Sequence, residues 1–254
     1  MTVYAVFQRG STVTFIRLLN CNRIYICYAK FIPQCYRNKN PLQYIFKGGV
    51  VTRGKFIAFE GIDGSGKSTQ SKLLYEYMLR KGYNCVLTTE PSDTAIGQFI
   101  RSNLSDLKLD EYAIQLSFTA DRANHVEKVI LPALKNGVHV ISDRYKYSTL
   151  AYGVLTSLPE NKLNALYAAN EPFQNPDLIL LFDMDPRNAF LNGRKNLDSF
   201  EKKHFADKDR MAKAYLELCA ADKNCVKIDG YQSVEAVHTI VVKEVLKMLR
   251  DSPE

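Results

Sequence analysis

Residues 55–70 read Lys55-Phe56-Ile57-Ala58-Phe59-Glu60-Gly61-Ile62-Asp63-Gly64-Ser65-Gly66-Lys67-Ser68-Thr69-Gln70. The stretch opens on a short apolar run of strand length, turns through a glycine-rich loop and continues into helix-forming sequence up to Lys81. Gly61 to Ser68 satisfies G-x-x-x-x-G-K-[S/T] in full, with the strand before and the helix after that give the pattern its meaning. Glycines allow the backbone angles that turn successive N–H groups inward to form a nest for phosphate oxygens. A helix starting at Lys67 aims its positive end at the same place. On this reading Gly61, Ile62, Asp63, Gly64, Ser65, Gly66, Lys67, Ser68 and Thr69 line an ATP site. Lys67 reaches the β- and γ-phosphates and Ser68 Oγ ligates Mg²⁺. Nucleotide binding follows; the identity of the phosphoryl acceptor does not.

Outward from the loop, apolar β-branched runs alternate with longer helical stretches, the pattern of a parallel sheet with crossover helices. Strands are expected at Lys55 to Glu60, Cys85 to Thr89, Val138 to Ser142, Leu178 to Asp183 and Val226 to Ile228. Each is apolar on both faces, as strands covered on both sides must be. Helices are expected over Lys67 to Lys81, stopped at Gly82, and from an Asp110 cap toward Asn136, bent near Pro132. Further helices should run from Pro159 to Asn170, Phe200 to Ala221 and Ser233 to Arg250. The fold class is α/β, a doubly wound five-stranded parallel sheet flanked by helices.

Charge and cysteine usage narrow the function classes. The 254 residues carry 34 Lys and Arg against 27 Asp and Glu, a net +7 that at first suggests a polyanion partner. Residues 1–52 hold seven of the basic residues and no acidic one, so the body from 53 to 254 is neutral. Nucleic acid is therefore not an expected partner. Nor is a membrane, since no apolar run approaches the roughly 18 residues of a spanning helix. The leading 52 residues are expected to be an extension, poorly structured and unnecessary for catalysis, arising from the choice of start codon. A transit peptide or regulatory arm is the alternative. The six cysteines show no Cys-x-x-Cys pair and are expected to be reduced thiols of a cytoplasmic protein. The four histidines have no metal-ligand spacing.

After the third strand of the body comes Asp143-Arg144. A carboxylate at a strand's carboxyl end lies where doubly wound sheets bind ligands, so Asp143 is a candidate to hold hydrated Mg²⁺ or orient an acceptor phosphate. Arg144 can bridge donor and acceptor phosphates, as phosphoryl transfer is mainly positioning and charge neutralisation.

Taken in order, Phe59 to Gln70, Glu90-Pro91, Phe118-Thr119-Ala120-Asp121-Arg122, Asp143-Arg144-Tyr145 with Ser148 and Ala151-Tyr152, and Pro176-Asp177-Leu178 through Asp183-Met184-Asp185-Pro186 resemble the thymidylate kinases, from about Lys55 to Arg250. The resemblance implies ATP- and Mg²⁺-dependent conversion of dTMP to dTDP, a lid around 187–201, and a homodimer. It implies that Asp63 accepts from the sugar 3′-hydroxyl, Phe118 stacks on thymine, Arg122 donates to its O4, Arg144 grips the acceptor phosphate and Tyr152 lies under the sugar. Three departures stand out. Thr89 occupies a place often held by arginine, with Arg101 as a candidate replacement. Gly153 follows Tyr152 where bacterial members often have glutamine, which bears on thymine selectivity. The lid has Ser199 where Asp-Arg-x-Glu is usual. Because the cradle lacks an arginine, the lid must supply a cation, and Arg194 is preferred over Arg187 and Lys195. The rival functions are a kinase of another pyrimidine nucleotide or deoxynucleoside, and a non-catalytic nucleotide switch.

Overall fold

The computed structural model describes residues 17–20, 23–26, 52–103, 110–188 and 207–251. The chain divides into two compact units, residues 1–51 and 52–254. In the first, β1 (Arg17–Asn20) and β2 (Arg23–Ile26) pair antiparallel as a hairpin, regular structure that the sequence reading did not expect.

The second unit holds a five-stranded, all-parallel sheet. Its strands are β3 (Phe56–Gly61), β4 (Cys85–Thr89), β5 (His139–Asp143), β6 (Leu178–Asp183) and β7 (Cys225–Asp229), in the order β4-β5-β3-β6-β7. The loop-bearing strand β3 is thus central, its six residues all buried. Alternation divides the core. Phe56 and Ala58 face a cluster with Val126, Ile130, Ala151, Leu155 and Tyr215. Ile57 and Phe59 face Leu74, Met78, Val237 and Val241 on the other side.

Helices α1 (Lys67–Arg80), α2 (Ala95–Asn103) and α3 (Glu111–His125) follow the first strands of this unit. Helix α3 begins as expected, with Asp110 Oδ1 accepting from Tyr112 N at 3.0 Å. The bend expected near Pro132 is a π turn over Val126–Ile130, after which α4 (Leu131–Lys135) resumes. Pro132 has no N–H for the i→i−4 ladder, so the widened turn lies just ahead of that gap. Then come α5 (Lys146–Leu155), α6 (Glu160–Asn170), α7 (Lys208–Ala220) and α8 (Val234–Arg250). Helices α2 and α5 are additions to the sequence reading.

Among the described residues the expectation of reduced thiols fails at one pair: Cys219 and Cys225 form a disulfide. The chain reversal between α7 and β7 brings their Cα atoms to 5.2 Å, inside the normal bridging range, without any short Cys-x-x-Cys spacing. Cys85 is free. Among the described residues no helix is long and apolar enough to cross a membrane.

Candidate active site

The cradle forms at the carboxyl end of β3. Gly61 has φ 136°, and a Cβ there would lie 2.6 Å from Phe182 O; Gly66, at φ 95°, turns the chain into α1. Side chains at either place would meet strain or backbone. Lys67, the first residue of α1, is buried and its Nζ donates to Ile62 O at 2.6 Å, across the loop. Burial, then the nearby Arg144 guanidinium, lowers its pKa to about 8 against the opposing pull of Asp63, Asp143 and Glu60.

One residue on, Ser68 Oγ donates to Asp143 Oδ2 at 2.5 Å, joining the start of α1 to the end of β5. Among the described residues, Asp143 Oδ1 is buried with no hydrogen-bond partner, and so is Ser65 Oγ in the loop. An orphaned carboxylate oxygen beside a hydroxyl is an oxygen donor set that suits Mg²⁺, which commonly uses one or two protein oxygens and fills the rest with water and phosphate. These two residues fit the ion. Thr69 follows, exposed on α1.

Arg144 turns the other way from its neighbour. It takes φ 76°, a left-handed conformation uncommon outside glycine, at the switch from β5 to α5. Its Nη1 donates to Ser148 Oγ at 3.1 Å and to Gly61 O at 3.4 Å, and its Nη2 to Asp63 Oδ1. Tyr152 donates its hydroxyl to Asp63 Oδ2, and its ring centroid lies 5.9 Å from the Arg144 guanidinium carbon. Burial and the Asp63 carboxylate hold the Tyr152 phenol well above its ordinary pKa, so it remains a donor. Asp63, Arg144 and Tyr152 therefore form one cluster, drawn from the loop, the end of β5 and α5.

Phe118 and Arg122 lie one turn apart on α3, but they differ in access. Phe118 is partly exposed, whereas Arg122 is 1% exposed. The Arg122 guanidinium donates to Glu90 Oε2 from Nε at 2.9 Å and from Nη2 at 2.5 Å. It also reaches Asn170 Oδ1, Tyr145 O and Thr149 Oγ1. Through these bonds the residue expected to donate to a base also links the end of β4, α5 and α6. A Cβ at Gly153 would lie 3.0 Å from Leu163 Cδ2 and 3.2 Å from Leu166 Cδ1, so the position faces α6 rather than the Asp63 cluster. Arg101 donates to Pro91 O and to Asp93 Oδ1 at 2.6 Å, which ties it to the loop after β4, while Thr89 Oγ1 donates to Asp143 O at 3.0 Å. Arg187 is exposed and paired with Asp185; Arg194, Lys195 and Ser199 lie outside the described residues.

Several buried carboxylates escaped the sequence reading. Glu90 holds Arg122 and also meets His125 Nδ1 at 3.1 Å. Asp121 accepts from Ser92 N, Ser92 Oγ and Thr94 Oγ1 at 2.6–2.9 Å, fixing the loop that precedes α2. Glu60 is 1% exposed within the central strand. The one available signal was a charged residue inside an otherwise apolar, doubly covered strand, since a buried carboxylate requires donors. His125 and His139 have ordinary packing partners, Thr88 and Glu90 for the first and Lys55 N for the second.

The thymidylate kinase family model matches residues 59–241. A probable thymidylate kinase of Pyrococcus abyssi is 41% identical over 199 residues, covering 75% of this chain and 95% of the relative. One from Thermococcus onnurineus is 39% identical over 198 residues, covering 74% and 95%. The thymidylate kinase of a Thermoanaerobacter species is 34% identical over 202 residues, covering 78% and 100%. A phosphate cradle that shares its own Asp63 with a second cluster after the neighbouring strand, within a chain matched by the family model over residues 59–241 and along nearly the whole length of these relatives, places this protein in the thymidylate kinase family.

Proposed function

We propose that this protein transfers the γ-phosphoryl group of ATP to dTMP, giving dTDP and ADP. One observation supports the reading above the rest: Asp63 lies inside the donor's phosphate loop yet is held by Arg144 and Tyr152. Donor and acceptor sites thus share a wall. In this assignment the loop from Gly61 to Thr69 cradles the ATP phosphates and Lys67 neutralises them. Arg144 grips the acceptor phosphate, and Asp63 with Tyr152 takes the deoxyribose. Phe118 covers the base, and Arg122 sets the floor beneath it. Ser68 and Asp143 would hold Mg²⁺, which supplies charge neutralisation between the donor phosphates. The acceptor phosphate has a second pKa of about 6, so no strong base is required, and Asp143 orders metal and water rather than removing a proton. Arg194 from the lid supplies the remaining cation. The protein acts in the cytoplasm as a homodimer, for which outward apolar side chains on α2 and α3 (Ile96, Phe99 and Leu116) offer a face. Residues 1–52 are dispensable for turnover.

The test is an acceptor panel of dTMP, dUMP, dCMP, UMP and thymidine with ATP, run on the full chain and on a form lacking residues 1–52. Preference for dTMP in both forms is expected. Turnover of thymidine but not dTMP would replace the reading, and loss of activity in the shortened form would show that the leading segment participates.

A further inference from the structure

Glu60 stands one residue before the end of β3 and faces the start of α5. Four donors converge on its carboxylate. Tyr145 N, Tyr147 N and Ser148 N reach Oε1 at 2.8, 3.0 and 3.3 Å, and Ser148 Oγ reaches Oε2 at 2.7 Å. Tyr145 N and Tyr147 N belong to the first turn of α5 and its approach, which the helix cannot satisfy by itself, while Ser148 N is shared with Tyr145 O at 3.2 Å. Burial raises the carboxyl's pKa, while Ser148, then Arg144 and Arg122, then the Tyr145 N–H, draw it down. Lys67, Tyr147 and Tyr215 also feel its charge. An acceptor-only carboxylate is the form that satisfies all four donors.

That requirement orients Ser148. Its single hydrogen goes to Glu60, so its lone pairs are left to accept, from Arg144 Nη1 at 3.1 Å and from the Tyr215 hydroxyl at 3.0 Å. We propose that Glu60 is a positioning residue for the acceptor phosphate: by ordering the start of α5 and the direction of the Ser148 hydroxyl, it aims the Arg144 guanidinium. The inference rests on the dTMP kinase reading above. Glu60 is 1% exposed and sealed beneath Ser148.

Glu60→Gln is the minimal test. The glutamine Oε1 still receives the backbone N–H groups, but its amide nitrogen donates to Ser148 Oγ, reversing that bond and competing with Arg144. Losing one charge-assisted hydrogen bond should raise KM for dTMP roughly tenfold while KM for ATP stays within about twofold. Ser148→Ala breaks the same chain without touching the backbone bonds, so it keeps the test open should Glu60→Gln fail to fold. It should show the same dTMP-selective rise, and the double variant should add nothing further. Equal changes in both KM values, no change in either, or a roughly hundredfold rise in the double variant would overturn the proposal. Nitrogen-15 relaxation of the Arg144 side chain in ligand-free protein separates this outcome from failure of the functional reading. A guanidinium ordered in the parent and loosened in Glu60→Gln supports positioning whatever the acceptor proves to be, and identical order in both overturns it.

Discussion

Replacing Glu90 by alanine tests whether Arg122 acts as scaffold or as base reader. Glu90 and Arg122 are 5% and 1% exposed, with their charged atoms at 2.5 and 2.9 Å, and the other oxygen of Glu90 meets His125. Alanine leaves a buried guanidinium whose remaining partners, Asn170, Tyr145 O and Thr149, are all neutral. Breaking such a pair costs about 3–5 kcal/mol. At about 2–4 °C per kcal/mol for a unit of this size, the melting temperature should fall by roughly 6–20 °C. The companion double variant, Glu90→Leu with Arg122→Met, removes both charges and should recover about 2 kcal/mol or more of that loss, because no uncompensated ion remains. Thermal and urea unfolding followed by circular dichroism provides both numbers. With Glu90→Leu and Arg122→Met also made singly, additivity of those two within about 0.5 kcal/mol in the double variant would refute the claim that the pair acts as a unit. Binding of dTMP by the double variant then answers the functional question: retained affinity makes Arg122 a floor, and lost discrimination between dTMP and dCMP makes it a reader of the base.

Other expectations follow from the same geometry. Asp143→Asn or Ser68→Ala should lower kcat by about 10²-fold or more and shift the Mg²⁺ dependence to higher concentration, which a metal titration of turnover reads directly. Lys67 has its pKa lowered from 10.5 to about 8, so kcat/KM for ATP should decline as pH rises through about 8. Keeping Lys67 charged costs stability below that point, and the cost is relieved between about 8 and 10.5; pH-dependent unfolding should therefore show a stabilising contribution where activity falls. Gly153→Gln should cost about 1–3 kcal/mol through crowding of Leu163 and Leu166, with the dTMP to dUMP preference unmoved in a competition assay. Reduction of Cys219–Cys225, six residues apart, should lower stability by about 2 kcal/mol, seen as a lower melting temperature with thiol reductant than without.

The sheet was legible because its signals are local. Strands β4 and β6 have the boundaries expected of them, and the other three differ by a residue or so, since apolar runs and the glycine loop are contiguous in the chain. Helix α2 was hidden by Ser92-Asp93-Thr94, whose turn chemistry masks the helix that follows. The geometry of Asp63, Arg144 and Tyr152 was anticipated only as separate roles for separate atoms. That they bind one another is a product of the β3–β5 pairing, which aligns Phe59 with Asp143 and so sets the loop beside the start of α5. The supporting shell of Glu60, Glu90, Asp121 and Asn170 was illegible for the same reason. A charged residue in a sequence shows a need for partners without naming them, and the partners of these three carboxylates lie 27 to 88 positions away. The disulfide joins cysteines whose proximity comes from a helix reversing into a strand, which no spacing rule encodes.

Asp143 and Arg144 are consecutive, yet the first joins the donor loop's helix at Ser68 and the second joins the sugar-side cluster at Asp63, with the kink at φ 76° between them. In the proposed assignment, one peptide unit, about 3.8 Å between Cα atoms, separates the residue that would hold the metal from the residue that would grip the acceptor phosphate. Whatever swings when the two nucleotides are brought into register must be carried by other segments of the chain, and an insertion of even one residue between this aspartate and this arginine would put the two halves of the reaction out of reach of each other.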